Sequence, residues 1–233
     1  MKKFELTGEF KILFGRKLYR IRALVNFRDV ESGDLGGYVE KEENLSHDGN
    51  AWVYDNAWVY DNARVCDNAR VCDNARVYGD ARVGGNARVN GNAQVCDNAQ
   101  VYGDARVGVN AWVYANARVC DNAQVYGDAR VYGDAWVYDN AQVCGDAWVY
   151  GNADYACVKG FGSAFRTTTF FRTTNGNIGV KCGCFYGSLG SFREKVKETH
   201  GDTKYAQEYL MVSELMELHF IGGSSNESKK RRH

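Results

Sequence analysis

The sequence predicts a mainly β protein built on a parallel β-solenoid, and three observations carry that expectation. Residues 50–151 divide without a gap into 17 hexads, from NAWVYD to DAWVYG. Every hexad has Ala in its second place and Val in its fourth, from Ala51 and Val53 to Ala147 and Val149. Consecutive hexads meet at a corner pair of Asp, Asn or Gly, with Val109-Asn110 and Ala115-Asn116 as the exceptions. A period this strict marks a repeat architecture.

Within a hexad, Ala, a variable residue, Val and then Tyr or Cys alternate in the two-residue rhythm of a strand. Ala and Val therefore point to one side, and the variable residue and Tyr/Cys to the other. Asp, Asn and Gly tolerate positive φ, so the chain can bend at every corner. Asp-Asp never fills the pair, as expected if like charges are kept off a tight turn. A four-residue strand cannot bury its Ala/Val face alone; it must coil and stack. The absence of proline suits a stack in which nearly every N–H enters a ladder.

The hexad resembles that of the left-handed β-helix superfamily, in which an aliphatic and a small residue fill a triangular prism and three hexads make one coil. The resemblance implies six to seven coils, with the 17 regular hexads rising about 28 Å at ~4.8 Å per layer. One departure stands out. The place after the aliphatic residue holds Tyr, Cys, Gly or Asn, which makes the outer surface unusually aromatic.

In chain order, residues 1–49 read as an N-terminal cap. A hairpin over 4–14 and 18–24 is followed by a degraded hexad in which Asn44-Leu45-Ser46-His47 takes the place of Asn-Ala-x-Val. Solenoids need atypical ends to cover apolar core and unpaired strand edge. The hexapeptide domain is drawn at 50–157, with NADYAC (152–157) as its failing last repeat. Residues 158–221 read as a ββαα appendage. Two strands flank Asn175-Gly176, and helices follow over 188–199 and 203–220, the second with Tyr205, Tyr209, Val212, Leu215, Met216 and Phe220 on one face. The polar tail 222–233 reads as disordered and basic. The segments RIRALVNFRDVESGDLGGYVEKEENLS and GFGSAFRTTTFF…CGCFYGSLGSF…HGD resemble the ends of small hexapeptide-repeat proteins encoded by phages and prophages. By analogy of that provenance, the expected task is capture of a host nucleotide signal as counter-defence.

Taking every third hexad together gives three outward faces. The first carries Trp52 and then Arg70, Arg88 and Arg106 in a row, beside the small residues Cys72, Asn90 and Gly108. Stacked like charges destabilise a sheet unless an anion intervenes. Arg70, Arg88, Arg106 and Asn90, together with Arg166 and Arg172 of the appendage hairpin, are therefore the candidate residues for an anionic or nucleotide ligand. The second face carries Trp58, Tyr60, Tyr78, Trp112, Tyr114, Tyr132, Trp148 and Tyr150. Such an aromatic strip is expected at an interface, and members of the superfamily are commonly trimers, so the partner expected first is a second copy of the chain. The third face carries Arg64, Arg82, Gln100, Arg118 and Trp136.

Catalysis is not the leading expectation. Hexapeptide acyltransferases use a histidine base beside an interrupting loop, and this repeat has neither. The four histidines are His47, His200, His219 and His233, too scattered for a three-histidine zinc site. Cys182-x-Cys184 with His200 is a weak metal signal, and His47 reads as a packed end-repeat residue. No cofactor, metal or catalytic residue is assigned. Acyltransferase-like and structural or polymer-forming phage proteins remain the alternatives. A formal net charge of zero argues against a nucleic-acid binder, apart from the tail. No run is long and apolar enough for a membrane span, and the N-terminus lacks a signal-peptide core. Five cysteines read as outward on the solenoid (Cys66, Cys72, Cys96, Cys120, Cys144), none stacked on another, which suits a reducing cytoplasm.

Overall fold

A computed structural model describes residues 1–221. Seventeen two-residue strands, Trp52–Val53 through Trp148–Val149, form three parallel sheets around one core. On each face the register advances by three hexads, as in Arg70↔Arg88, Gln94↔Trp112 and Arg64↔Arg82. Three hexads therefore make a coil, and the Ala and Val columns point inward, fully buried from Ala51 to Val149. The ladder is regular: Arg88 N–H donates to Ala105 O and Asn90 N–H to Val107 O, both at 2.9 Å. Burying each Val contributes about 1.5–3 kcal/mol.

The corners divide their labour. Positive φ falls on the last residue of the hexad, either Gly or Asp, and at Val109 (φ 62°) and Ala115 (φ 57°). An Asp there also accepts an N–H from the next coil, as Asp67 does from Gly85 (2.8 Å) and Asp73 from Gly91 (2.7 Å). The following Asn builds a side-chain ladder in which most Nδ2 groups donate upward, for example Asn68 to Asn86 and Asn86 to Asp104. Asp is thus admitted at that place with an Asn beneath it. Asp146, stacked over Asp128, is the exception, and the Tyr186 hydroxyl donates to it from the appendage at 3.0 Å.

The N-terminal cap adds β1 (Phe4–Leu13), β2 (Arg16–Ala23) and β3 (Leu35–Val39) to the second-face sheet, making nine strands. Here the three-hexad step fails. Tyr38 pairs with Trp58, Val39 with Val59 and Leu45 with Val65, each step longer by two places. Leu45 therefore stands in the Val column and His47 leaves the core to stack on Phe4 (4.4 Å), which corrects the expected Asn-Ala-x-Val alignment. Trp52, expected outside, is 1% exposed beneath Phe4 and Phe27. Lys3 is also buried and donates to Ala51 O (2.9 Å) and Gly49 O (3.3 Å) at the open edge. Burial lowers its amine to about 8.

At the other end Asn152–Asp154 is a 3-10 turn, and Tyr155–Val158 is already the first strand of a four-stranded antiparallel sheet with Thr168–Arg172, Ile178–Cys182 and Phe185–Ser188. The boundary drawn at 157 falls inside that strand, and the sheet has two strands more than expected. Adjacent Phe170 and Phe171, both fully buried, point opposite ways. Phe171 joins the solenoid core, while Phe170 packs with Phe192, Tyr209 and Phe220 beneath α1 (Leu189–His200) and α2 (Lys204–Ile221). The appendage is therefore the C-terminal plug. On α2, Tyr205 and Leu215 are exposed, and Ala206 and Ser213 take their places inside. The expected disordered tail lies outside the described residues.

Candidate functional site

On the first face, Arg70, Arg88 and Arg106 stand in register as expected. Arg70, however, is engaged by the cap: its guanidinium pairs with Asp29 (2.6 Å) and lies over the Tyr54 ring (5.6 Å). Arg88 and Arg106 are exposed, and among the described residues neither has an ion-pair partner. Asn90 lies across the gap left by Gly108, where a Cβ would stand 2.3 Å from its Oδ1. The shelf is thus two guanidiniums wide and open to solvent.

The two appendage arginines do not join it. Arg172 pairs with the buried Asp154 (3.1 Å) and also donates to Phe220 O at the end of α2. It clamps the plug, and the structure does not bring it to the shelf. Arg166 is exposed beside a small recess with Lys195, His200 and Tyr209.

The second face brings its aromatics together. Tyr60 stacks on Tyr78 (5.0 Å) and Tyr114 on Tyr132 (4.9 Å), while Tyr150 meets Tyr132 edge-on. Burial in the stack pushes Tyr132 up to about 12. Arg76 covers Trp58 (4.9 Å) and Arg130 covers Trp112 (5.6 Å). Half of the strip is thus internal stacking, yet Trp112, Trp148 and Tyr150 remain about 40% exposed.

Three of the five cysteines expected on the surface are buried. Cys96, Cys120 and Cys144 each sit one coil above a tyrosine (Tyr78, Tyr102 and Tyr126), which covers the smaller side chain. Burial pushes all three thiols up, so they are poor nucleophiles. All eight cysteines are free.

Residues 63–79, 69–85, 81–97, 93–108, 99–115 and 123–139 match the model of the YdcK beta solenoid repeat. The chain is a β-solenoid repeat protein. No curated protein matches it. In this β-solenoid the matched segments cover all three faces but stop short of both caps, so the likeness concerns the scaffold.

His47 has no free ring nitrogen in this solenoid. Nδ1 accepts the Lys3 N–H (3.1 Å) and Nε2 contacts Glu42 Oε1 (2.7 Å). That geometry suits a cap residue rather than a general base. Cys182 is occupied by the Thr168 hydroxyl (3.1 Å), and among the described residues no group of His, Cys, Asp and Glu converges as a metal site. No helix of the described residues is long and apolar enough to cross a membrane.

What the hexad pattern did not reveal is a recess of 680 Å³ on the third face, lined by Glu42, Ser46, His47, Arg64, Cys66 and Arg82 among others. Its only sequence signal is the degraded hexad at 44–49.

Proposed function

We propose that this β-solenoid is a non-enzymatic, phage-encoded binding protein that sequesters an anionic or nucleotide signal of its bacterial host, acting in the host cytoplasm as counter-defence. The observation supporting this reading is the register pair Arg88 and Arg106, held one strand layer apart without a carboxylate between them. Planar guanidiniums present paired donors to phosphate oxygens, and a bound phosphate would relieve their repulsion. The test is thermal denaturation with common and cyclic nucleotides at sub-millimolar concentration. A ligand that binds only the folded stack raises its melting temperature. Arg88→Ala should lose most of that shift, and Arg118→Ala, a single arginine between Gln100 and Trp136, should keep it. No shift with any nucleotide would refute the reading.

Self-association through the second face, as a homotrimer, belongs to the same proposal. It is favoured by the exposed Trp112, Trp148 and Tyr150 on one continuous sheet. Trp112→Glu with Tyr114→Glu should turn the oligomer into monomers by light scattering, with far-UV circular dichroism unchanged. A wild type that is monomeric at micromolar concentration would sink it.

A further inference from the structure

We infer that the recess on the third face is a second anion site, specific for a phosphate-bearing small molecule and created by the register break between cap and solenoid. It shares the ligand class of the reading above, but its residues and its test are separate.

The register break makes the recess. Because Leu45 pairs with Val65, the residue opposite Arg64 is Asn44, not an outward-pointing residue. Asn44 is fully buried. Its Nδ2 donates to Asp61 O (3.1 Å) and Ala63 O (2.9 Å), and its Oδ1 accepts the Lys41 N–H (3.0 Å). On the cap side of Arg64 the outer surface therefore carries no side chain from the neighbouring layer. The two surplus residues of the first coil bulge instead through 46–49, and Ser46 and His47 form the wall. An ordinary coil would have filled this space.

The charges facing the space are unbalanced. Arg64 and Arg82 are strand neighbours in register and exposed, and among the described residues neither guanidinium has an ion pair or a hydrogen bond. Glu42 does not neutralise them. Lys2 and His47 hold it at 3.0 and 2.7 Å and keep its carboxyl below the usual range. Asp80, on the adjoining rim, accepts from Asn62. Among the described residues, Glu43 is the one lining carboxylate without a partner, and it stands on the cap side. On the opposite side the Asp67 carboxylate, which accepts the Gly85 N–H (2.8 Å), lies over the buried Gly84. A Cβ there would come within 2.9 Å of Asp67 Oδ2 and 3.1 Å of Cys66 Sγ. Two guanidiniums one layer apart, ~4.8 Å, span the oxygens of one phosphate or of two linked phosphates. The Ser46 hydroxyl is the polar group on the facing wall. The anion sits between the two guanidiniums and Ser46, clear of both Glu43 and Asp67.

Inorganic pyrophosphate is the probe, measured by isothermal titration calorimetry on the full chain at physiological ionic strength. Saturable 1:1 binding is expected. Arg64→Ala and Arg82→Ala should each weaken it at least tenfold. Glu43→Gln should tighten it several-fold by removing the opposing charge. Arg88→Ala and Arg118→Ala should leave it unchanged, so failure of the first-face shelf does not read out here. All five positions are on the surface, and unchanged ligand-free melting checks each fold. Absence of saturable binding, equal loss in Arg88→Ala, or weaker binding in Glu43→Gln would each overturn the proposal.

Discussion

Val109 holds a backbone conformation that its side chain opposes. It is a β-branched residue at φ 62° in a place that every other hexad except that of Ala115 gives to Asp or Gly, and its side chain is half exposed. Left-handed backbone costs an L-residue about 1–2 kcal/mol, and Asp bears it better than Val. In Val109→Asp the carboxylate would also stand one coil beneath the Gly127 N–H, as that of Asp67 stands beneath Gly85. Such a bond contributes about 1 kcal/mol net. No like charge opposes it, because the residues one coil below and above, Gly91 and Gly127, are glycines. Little apolar burial is lost. The expected gain is about 1–2 kcal/mol, or a melting temperature higher by roughly 3–6 °C for a chain of this size. The reciprocal Asp73→Val should lose a similar amount, through the left-handed backbone and the bond to Gly91. Differential scanning calorimetry of both variants decides the matter: a Val109→Asp melting temperature equal to or below wild type would refute the corner argument.

Val101→Asp puts a charge without a partner into a fully buried column and should abolish soluble folded protein; near-normal melting would contradict the packing. Deleting residues 80–97 removes one coil and keeps every column in register, whereas deleting 80–85 turns everything downstream by one face relative to the N-terminal cap. The first variant should keep its oligomeric state and the second lose it, as read by light scattering. Lys3 supplies a pH dependence. Its folded amine titrates near 8 and the unfolded one near 10.5, so between those values the unfolded chain holds more protons and stability rises with pH. The melting temperature of wild type minus that of Lys3→Met should therefore grow from pH 7.5 to 10. A flat or falling difference would mean that Lys3 is not buried as described.

The coil, its three faces and the columns were legible in the sequence because Ala and Val recur at places that only a stack can bury. Corner chemistry was half legible. The composition marked the turns, but the Asn ladder and the Asp-to-N–H bonds depend on groups a full coil apart. Trp52, Cys96, Cys120 and Cys144 were assigned outside because alternation says which way a side chain leaves the strand, not what lies over it. Phe4, Phe27 and three tyrosines cover them. Arg70 looked like a ligand group because its acid, Asp29, comes from a segment without a period. The acid that holds Arg172, Asp154, comes from the failing last repeat, whose 3-10 turn the hexad does not foretell. The third-face recess was hidden for the same reason. It arises where the lengthened step of the cap meets the regular three-hexad step, and the break is visible only once Leu45 and Val65 are paired.

The regularity of the repeat has a cost of its own. Every coil offers its neighbour the same Ala and Val, so a stack displaced by one full turn, with three hexads looped out, would satisfy the interior almost as well. Only singular contacts tell the chain which turn is which: Trp52 under Phe4 and Phe27, Arg70 against Asp29, and Asp146 under Tyr186. These lie at the two ends, so the caps act as reference marks that count the turns between them. Loosening either mark should leave the solenoid intact yet let it settle in more than one frame.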